Sequence, residues 1–439
     1  MSGLPQVKYS GAIRDIKIGK PGHEVVLGGE TAYNFYTFEG KMPNAPKLAL
    51  QVMDIAPEEW APAAVEPFKD VINDPVAWAK KCQDVYKADV VTLWLSGTDP
   101  NGKNLSAEHA ADVAKKVAQA LDVPLIVWGV SSDDKNTEVL KAVCEACDGL
   151  NVIVGPVTEH NYKQVGAAAI AYKHSVIANT PIDINLAKQL NILLENLGVP
   201  EDRIMIDPTT GSVGYGLEYC YSIMERIRQS ALTQNDAKLQ YPIVNNIAEE
   251  VWKTKEAKLP AAEDPKLGEA ATRGVNLEVI TALSALQAGS DLLILRHPKT
   301  LEHLRKYIST IMEATDLDSM KVDMSLIAEA KPAPAAAKKA APAAAKPAPA
   351  KPAAAPPAAP KAPKLEVVKP AAPAPVEEAP KPAAPAAKAA PADAVGDTDL
   401  EDLDLSEEDL AALRQMLGMF RGVQGFFGGI VKLVSGDIK

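Results

Sequence analysis

Cysteine is scarce in this chain of 439 residues, with four in all: Cys82, Cys144, Cys147 and Cys220. That is too few for a disulfide framework in a chain of this size. Cys144-Glu-Ala-Cys147 has a CxxC spacing, but no second pair exists to complete a four-thiolate zinc or iron–sulfur site. The pair also lies in a stretch, 138–147, that reads as helix, so two buried thiols are expected there. No apolar run approaches the ~20 residues of a membrane span, and the N-terminus has no apolar signal region. These absences point to a cytoplasmic protein without a membrane partner. A basic excess is missing too: Lys and Arg total 46 against 57 Asp and Glu, a formal net charge of -11. That balance gives no footing for a broad nucleic-acid footprint. No Gly-x-Gly-x-x-Gly follows the first apolar run, which disfavours a dinucleotide fold.

What is present falls into four stretches. Residues 1–46 read as a hairpin segment: Ala12 to Ile18 alternates apolar and polar, and Glu24-Val-Val-Leu27 follows a Lys-Pro-Gly turn. The hairpin is expected to cap the bottom of the next domain or to add an outer contact surface. From 47 a rhythm of eight apolar runs begins: Lys47 to Asp54, Asp89 to Thr98, Pro124 to Gly129, Leu150 to Gly155, Ser175 to Thr180, Ile204 to Asp207, Pro242 to Asn246, and Asp291 to His297. Helical patterns separate them, at 74–82, 106–121, 162–173, 183–197, 217–231 and 276–288. Strands apolar on both faces, each followed by a helix, imply a parallel sheet covered on both sides. Eight such units match a closed (β/α)₈ barrel better than an open sheet. The fold class is therefore α/β, a TIM barrel over 47–328.

Residues 329–396 are almost entirely Ala, Pro and Lys. Frequent proline blocks helix propagation, and spaced lysines repel, so this stretch reads as a tether without a core. Residues 397–439 turn acidic, then apolar. Ser406-Glu-Glu-Asp409 reads as a helix start, and Leu410, Leu413, Leu417 and Phe420 share one helical face. An amphipathic segment on a tether reads best as a docking peptide for a partner groove. Folding back on the barrel is the alternative.

In a barrel of this kind the working face lies at the C-terminal ends of the strands. Those ends supply Asp54, Ser96-Gly97-Thr98, Trp128-Gly129, Asn179-Thr180-Pro181, Asp207 to Gly211, Asn245-Asn246 and Arg296-His297. The set is rich in hydroxyls and amides. It holds no cysteine nucleophile, no strand-end lysine and no His cluster with metal spacing, and His297 is expected to pack or hydrogen-bond rather than ligate. Glu218 and Glu249-Glu250 read equally as acids or as solvated helix residues. Such a mouth suits a large polar ligand held by neutral hydrogen bonds: the amide side chains of a bulky cofactor, or a pterin ring.

The longest signal is Asp207-Pro-Thr-Thr-Gly-Ser-Val-Gly-Tyr-Gly-Leu-Glu-Tyr-Cys-Tyr-Ser, with the helix that follows it. It resembles the signature loop and helix of the corrinoid iron–sulfur protein small subunit, the delta subunit of the acetyl-CoA decarbonylase/synthase complex. Leu27-Gly-Gly-Glu-Thr with Phe35-Tyr36, and Asp74-Pro-Val-Ala-Trp-Ala-Lys-Lys, resemble that family as well. The likeness spans residues 5–320. It implies a TIM barrel that pairs with a large subunit carrying a four-iron cluster and a corrinoid (cobalamin) domain, with the corrinoid between that domain and the barrel mouth. It implies a methyl carrier of the reductive acetyl-CoA pathway, loaded from methyltetrahydrofolate by a methyltransferase and unloaded at acetyl-CoA synthase/CO dehydrogenase. The chain has neither a four-Cys motif nor an Asp-x-His corrinoid-ligand motif, so cluster and corrinoid domain are expected on another chain, and no independent catalytic site is expected here. By analogy, Asp207, Thr209, Thr210, Gly211, Tyr215 and Gly216 are expected to face the corrinoid. Ser96, Asn179, Thr180 and Asn245 are second choices. The alternative is a pterin-dependent corrinoid methyltransferase of the same barrel type, with Asp207 and Asn179 or Asn245 holding the pterin.

Overall fold

The computed structural model describes residues 6–313 except 261 and 264. The tether expected at 329–396 and the docking segment expected at 397–439 lie outside the described residues. Ten strands occur among the described residues: β1 Ile16–Ile18, β2 Val25–Leu27, β3 Lys47–Met53, β4 Val90–Trp94, β5 Leu125–Trp128, β6 Ile153–Val157, β7 Ser175–Asn179, β8 Ile204–Asp207, β9 Val244–Asn246 and β10 Leu292–Leu295. From β3 onward the eight are all parallel, in the order β8-β7-β6-β5-β4-β3-β10-β9. A single bridge, Ile206 to Ile243, joins the two edges, with the Ile206 N–H donating to Pro242 O at 2.9 Å. The sheet is thus a (β/α)₈ barrel, as the eight apolar runs imply.

The α-helices longer than one turn among the described residues are α1 Pro75–Asp84, α2 Ala107–Ala120, α3 Asp133–Ala146, α4 Tyr162–Tyr172, α5 Ile184–Leu197, α6 Leu217–Leu232, α7 Ile247–Trp252, α8 Ala270–Ala288 and α9 Pro298–Glu313. Side-chain caps set several starts. Asp74 accepts from the N–H groups of Val76 and Ala77, Ser106 from His109, and Asp183 from Asn185 and Leu186. Where the apolar period alone placed a start at 138, α3 begins at Asp133, because Ser132 caps it and Asp133 and Asp134 fill its first turn. The fourth barrel strand begins later than its apolar run. Gly149 and Asn151 hold positive φ angles of 75° and 45°, so the chain turns before it extends. Cys144 and Cys147 are buried in and just after α3, and burial pushes both thiols up to about 12.

β1 and β2 pair antiparallel. Their segment covers the barrel end from which the strands start. Asn151 Nδ2 donates to Gly19 O, ahead of β6. Lys20 Nζ donates to Ala118 O and Leu121 O at 2.7 and 2.6 Å, ahead of β5. Asn34 Nδ2 donates to Ser290 O at 3.1 Å, ahead of β10. Ile16, Ile18 and Leu27 join the main core. Of the two roles expected for the hairpin, the contacts assign it the bottom cap. Among the described residues no helix is long and apolar enough to cross a membrane.

Candidate functional site: the barrel mouth

β7 and β8 end side by side, with Asn179 in register with Asp207. Asn179 Nδ2 donates to Asp207 Oδ2 at 2.9 Å, and the Thr209 N–H donates to Asp207 Oδ1 at 3.0 Å. The Thr180 N–H donates to Asp207 O at 3.0 Å, and Thr209 Oγ1 donates to Thr180 O at 2.5 Å. Four predicted residues are thereby locked into one unit. Thr209 sits at φ 65°, where a β-branched side chain is strained by on the order of 1–3 kcal/mol, and the Thr180 and Asp207 bonds hold it there. Burial pushes the Asp207 carboxyl up to about 7, against the two hydrogen bonds that favour its charge.

The loop then folds on itself. Ser212 bridges to Tyr215 and Gly216. A Cβ on Gly211 would stand 2.8 Å from Gly216 C and Tyr215 O, so only glycine fits. Tyr215 is 51% exposed, its hydroxyl donating to Glu256 Oε2 at 3.0 Å, and Tyr219 is 64% exposed. These two aromatics stand on the outer rim, with Tyr215 anchored rather than free.

Across the mouth, the Gly97 N–H donates to Asp54 Oδ1 at 2.9 Å and Ser96 Oγ donates to the same atom at 3.3 Å. Asp54 is buried, and burial raises its carboxyl. His297 stacks on Trp252 with centroids 6.1 Å apart, and burial pushes its imidazole down to about 4. It packs, as expected, and is neutral. Glu218 is exposed, whereas Glu249 is half-buried and its carboxyl is raised by burial and by Glu250.

Asn245 is placed differently from the other predicted residues. Its Nδ2 donates to Thr210 Oγ1 at 3.2 Å and contacts Met224 Sδ of α6 at 3.5 Å. With Thr210, Met224 and Thr281 it lines a cavity of about 10 Å³ on the helix side of the sheet. Strand alternation then turns Asn246 toward the barrel interior. Asn245 thus braces the rim loop from behind.

Several buried polar atoms have no partner among the described residues: Asp54 Oδ2, Thr180 Oγ1 and Ser212 Oγ around the rim, and Gln51 Nε2 and Thr92 Oγ1 deeper in the barrel wall. Gln51 and Thr92 face each other in register on β3 and β4. Sequence reading missed Gln51, which lies mid-strand in an apolar run. A lone amide in such a run was the available signal.

A family model described as CO dehydrogenase/acetyl-CoA synthase delta subunit matches residues 15–304. The chain belongs to that family. The delta 2 subunit of the acetyl-CoA decarbonylase/synthase complex of Methanosarcina acetivorans is 35% identical over 309 residues, 69% of this chain and 70% of that protein. The delta subunit of Archaeoglobus fulgidus is 35% identical over 316 residues, 69% of each chain. Among solved structures, dihydropteroate synthase of Xanthomonas albilineans aligns with a TM-score of 0.46 at 14% identity, over 69% of this chain and 100% of that one. As a member of the delta-subunit family the chain has a role in the acetyl-CoA pathway as part of a complex.

Proposed function

We propose that this chain is the barrel half of the methyl carrier of that complex, holding a corrinoid at its mouth against a large subunit that carries the corrinoid domain and the iron–sulfur cluster. The observation that carries this reading is the set of rim atoms left without partners. Thr180 Oγ1, Ser212 Oγ and Asp54 Oδ2 are a donor-and-acceptor set suited to the peripheral amides of a corrinoid. A buried polar atom without a partner is costly; these three are covered in the barrel itself, so a ligand amide would satisfy them with a small shift of the rim. Methyl uptake and release at cobalt is the chemistry a bound corrinoid supplies. The barrel's own residues then bind, orient and exclude water. Asp207, Asn179, Thr180 and Thr209 act as one rigid wall, the Gly211–Gly216 turn lets backbone approach closely, and Tyr215 and Tyr219 offer apolar area at the rim. Thr210 and Ser96 complete the wall, and Asn245 supports it. The methyl donor is methyltetrahydrofolate, through its methyltransferase, and the acceptor is acetyl-CoA synthase/CO dehydrogenase. The tether and the terminal segment serve to hold the carrier within the complex.

Co-expression with the cluster-bearing large subunit should yield a corrinoid-coloured heterodimer, and the isolated chain should not move a methyl group from methyltetrahydrofolate to free cob(I)alamin. A colourless heterodimer would end the reading. One observation favours a second reading: the Asn179–Asp207 pair, with a carboxyl near neutrality, is also suited to the donor–acceptor edge of a pterin. Robust methyl transfer by the isolated chain would establish that pterin-dependent methyltransferase instead.

A further inference from the structure

Three arginines are almost wholly buried among the described residues, Arg228, Arg273 and Arg296, and the first and last are treated differently. Arg228 forms an ion pair with Asp291. Arg296, 4% exposed at the end of β10, forms no ion pair with any described residue. Its Nε and Nη2 donate to the neutral Gln51 Oε1 at 3.1 and 2.8 Å, and its guanidinium lies 4.1 Å from the centroid of the Trp60 ring. Nη1 donates to nothing described, and it is not sealed off as Gln51 Nε2 is.

The neighbouring acids are engaged elsewhere. Glu278 accepts the N–H groups of Arg296 and His297 at 2.6 and 3.2 Å and the Thr300 hydroxyl at 2.6 Å. Glu249 Oε2 accepts from Asn246 Nδ2 at 3.4 Å, while the Glu249 N–H donates the N-cap bond to Asn246 Oδ1 at 3.3 Å. Both act on the guanidinium only through space. His297 is neutral, and Lys299 is exposed on α9. Taking a guanidinium out of water without a counter-charge is expensive, and stacking on one indole recovers only part of that cost. Gln51 and Trp60 meanwhile fix the plane of the fork, leaving the Nη1 edge as a preset donor. Such an edge matches the oxygens of a carboxylate or phosphate group.

We propose that Arg296 is an oxyanion-binding residue of the mouth, taking a phosphate-ester or carboxylate group of the ligand that enters there, with Gln51 and Trp60 as its positioning residues. The proposal rests on the mouth being a ligand site and not on the ligand being a corrinoid. It divides the mouth into a charged side at β10 and β3 and a neutral amide-and-hydroxyl side at β7 and β8.

The test is calorimetric titration and thermal unfolding of the full chain with inorganic phosphate and, separately, acetate, at constant ionic strength made up with chloride. Wild type should bind at least one anion saturably, and R296Q should weaken that binding about tenfold or more, with partial recovery in R296K. Stronger phosphate binding would identify a phosphate ester as the natural group, and stronger acetate binding a carboxylate. Q51E supplies the missing counter-charge from within, so it should abolish anion binding without lowering the unfolding midpoint, which separates occupancy from folding. Absence of saturable binding in wild type, or unchanged binding in R296Q or Q51E, overturns the proposal. A colourless heterodimer whose barrel still binds the anion through Arg296 would sink the corrinoid reading alone.

Discussion

At the lower end of the barrel Arg228, Asp291 and Glu30 close on one another beneath the hairpin, with a proton to pair Glu30 Oε2 and Asp291 Oδ1, whereas at the upper end Asp54, Thr180 and Ser212 keep buried atoms without partners. The lower network closes through a proton shared between Glu30 and Asp291, since Glu30 Oε2 and Asp291 Oδ1 otherwise have no partner among the described residues. Arg228 Nε and Nη2 donate to Gly289 O at 3.1 and 2.6 Å, and Nη2 donates also to Asp291 Oδ2, which accepts the Ile243 N–H at 2.6 Å. Burial, and the Asp291 carboxylate beside it, hold the Glu30 carboxyl well above its ordinary range, so it keeps its proton. That proton satisfies Glu30 and Asp291 together. The same chemistry of hydroxyls, amides and acids is thus paired internally at one end and left unpaired at the other. An end that must only be stable closes its own hydrogen bonds, and the unpaired atoms at the other end are what the proposed ligand site requires.

The largest effect is expected at Arg228. Arg228→Met leaves the buried Asp291 carboxylate, with the protonated Glu30 beside it, without its cation and should cost about 3–5 kcal/mol, read as a lower urea midpoint. A small loss would mean that the lower end is less interlocked than its hydrogen bonds indicate. The next largest effect concerns Asp207, whose folded-state carboxyl sits near 7 against about 3.9 in the unfolded chain. Since the folded state holds the proton more tightly, stability is fully present below pH ~4 and is lost as pH rises toward 7, by a few kcal/mol at most. Asp207→Asn should flatten that slope in urea unfolding across pH 4 to 8, and an unchanged slope would assign it to Glu30 or another buried acid. The smallest effect should come from Thr180→Val combined with Ser212→Ala. Removing hydroxyls without partners should leave the unfolding free energy of the isolated chain unchanged or raised by about 1 kcal/mol, while corrinoid retention in the heterodimer falls. Destabilisation of the isolated chain would show that these hydroxyls are already satisfied without a ligand.

The barrel was legible because its signal is repetitive. Each strand must be apolar on both faces, and Val90-Val-Thr-Leu-Trp94 and Leu292-Leu-Ile-Leu295 carry that requirement in their composition. The Asp207-to-Gly216 loop was legible because Pro, Thr-Thr and spaced glycines break a strand in a recognisable way. Asn245 and Asn246 were not separable by reading, since a one-residue step reverses the face and both are polar. Gln51 and Arg296 find each other across 245 residues of sequence, and no local pattern encodes that pairing.

Sequence alone therefore determined the ring of eight strands, the hairpin and the family, because burial on two faces and a long local motif are written in consecutive residues. Only the tertiary structure decided which polar atoms are spent and which are left over. That depends on distances between strand ends that are far apart in the chain and adjacent only once the barrel has closed.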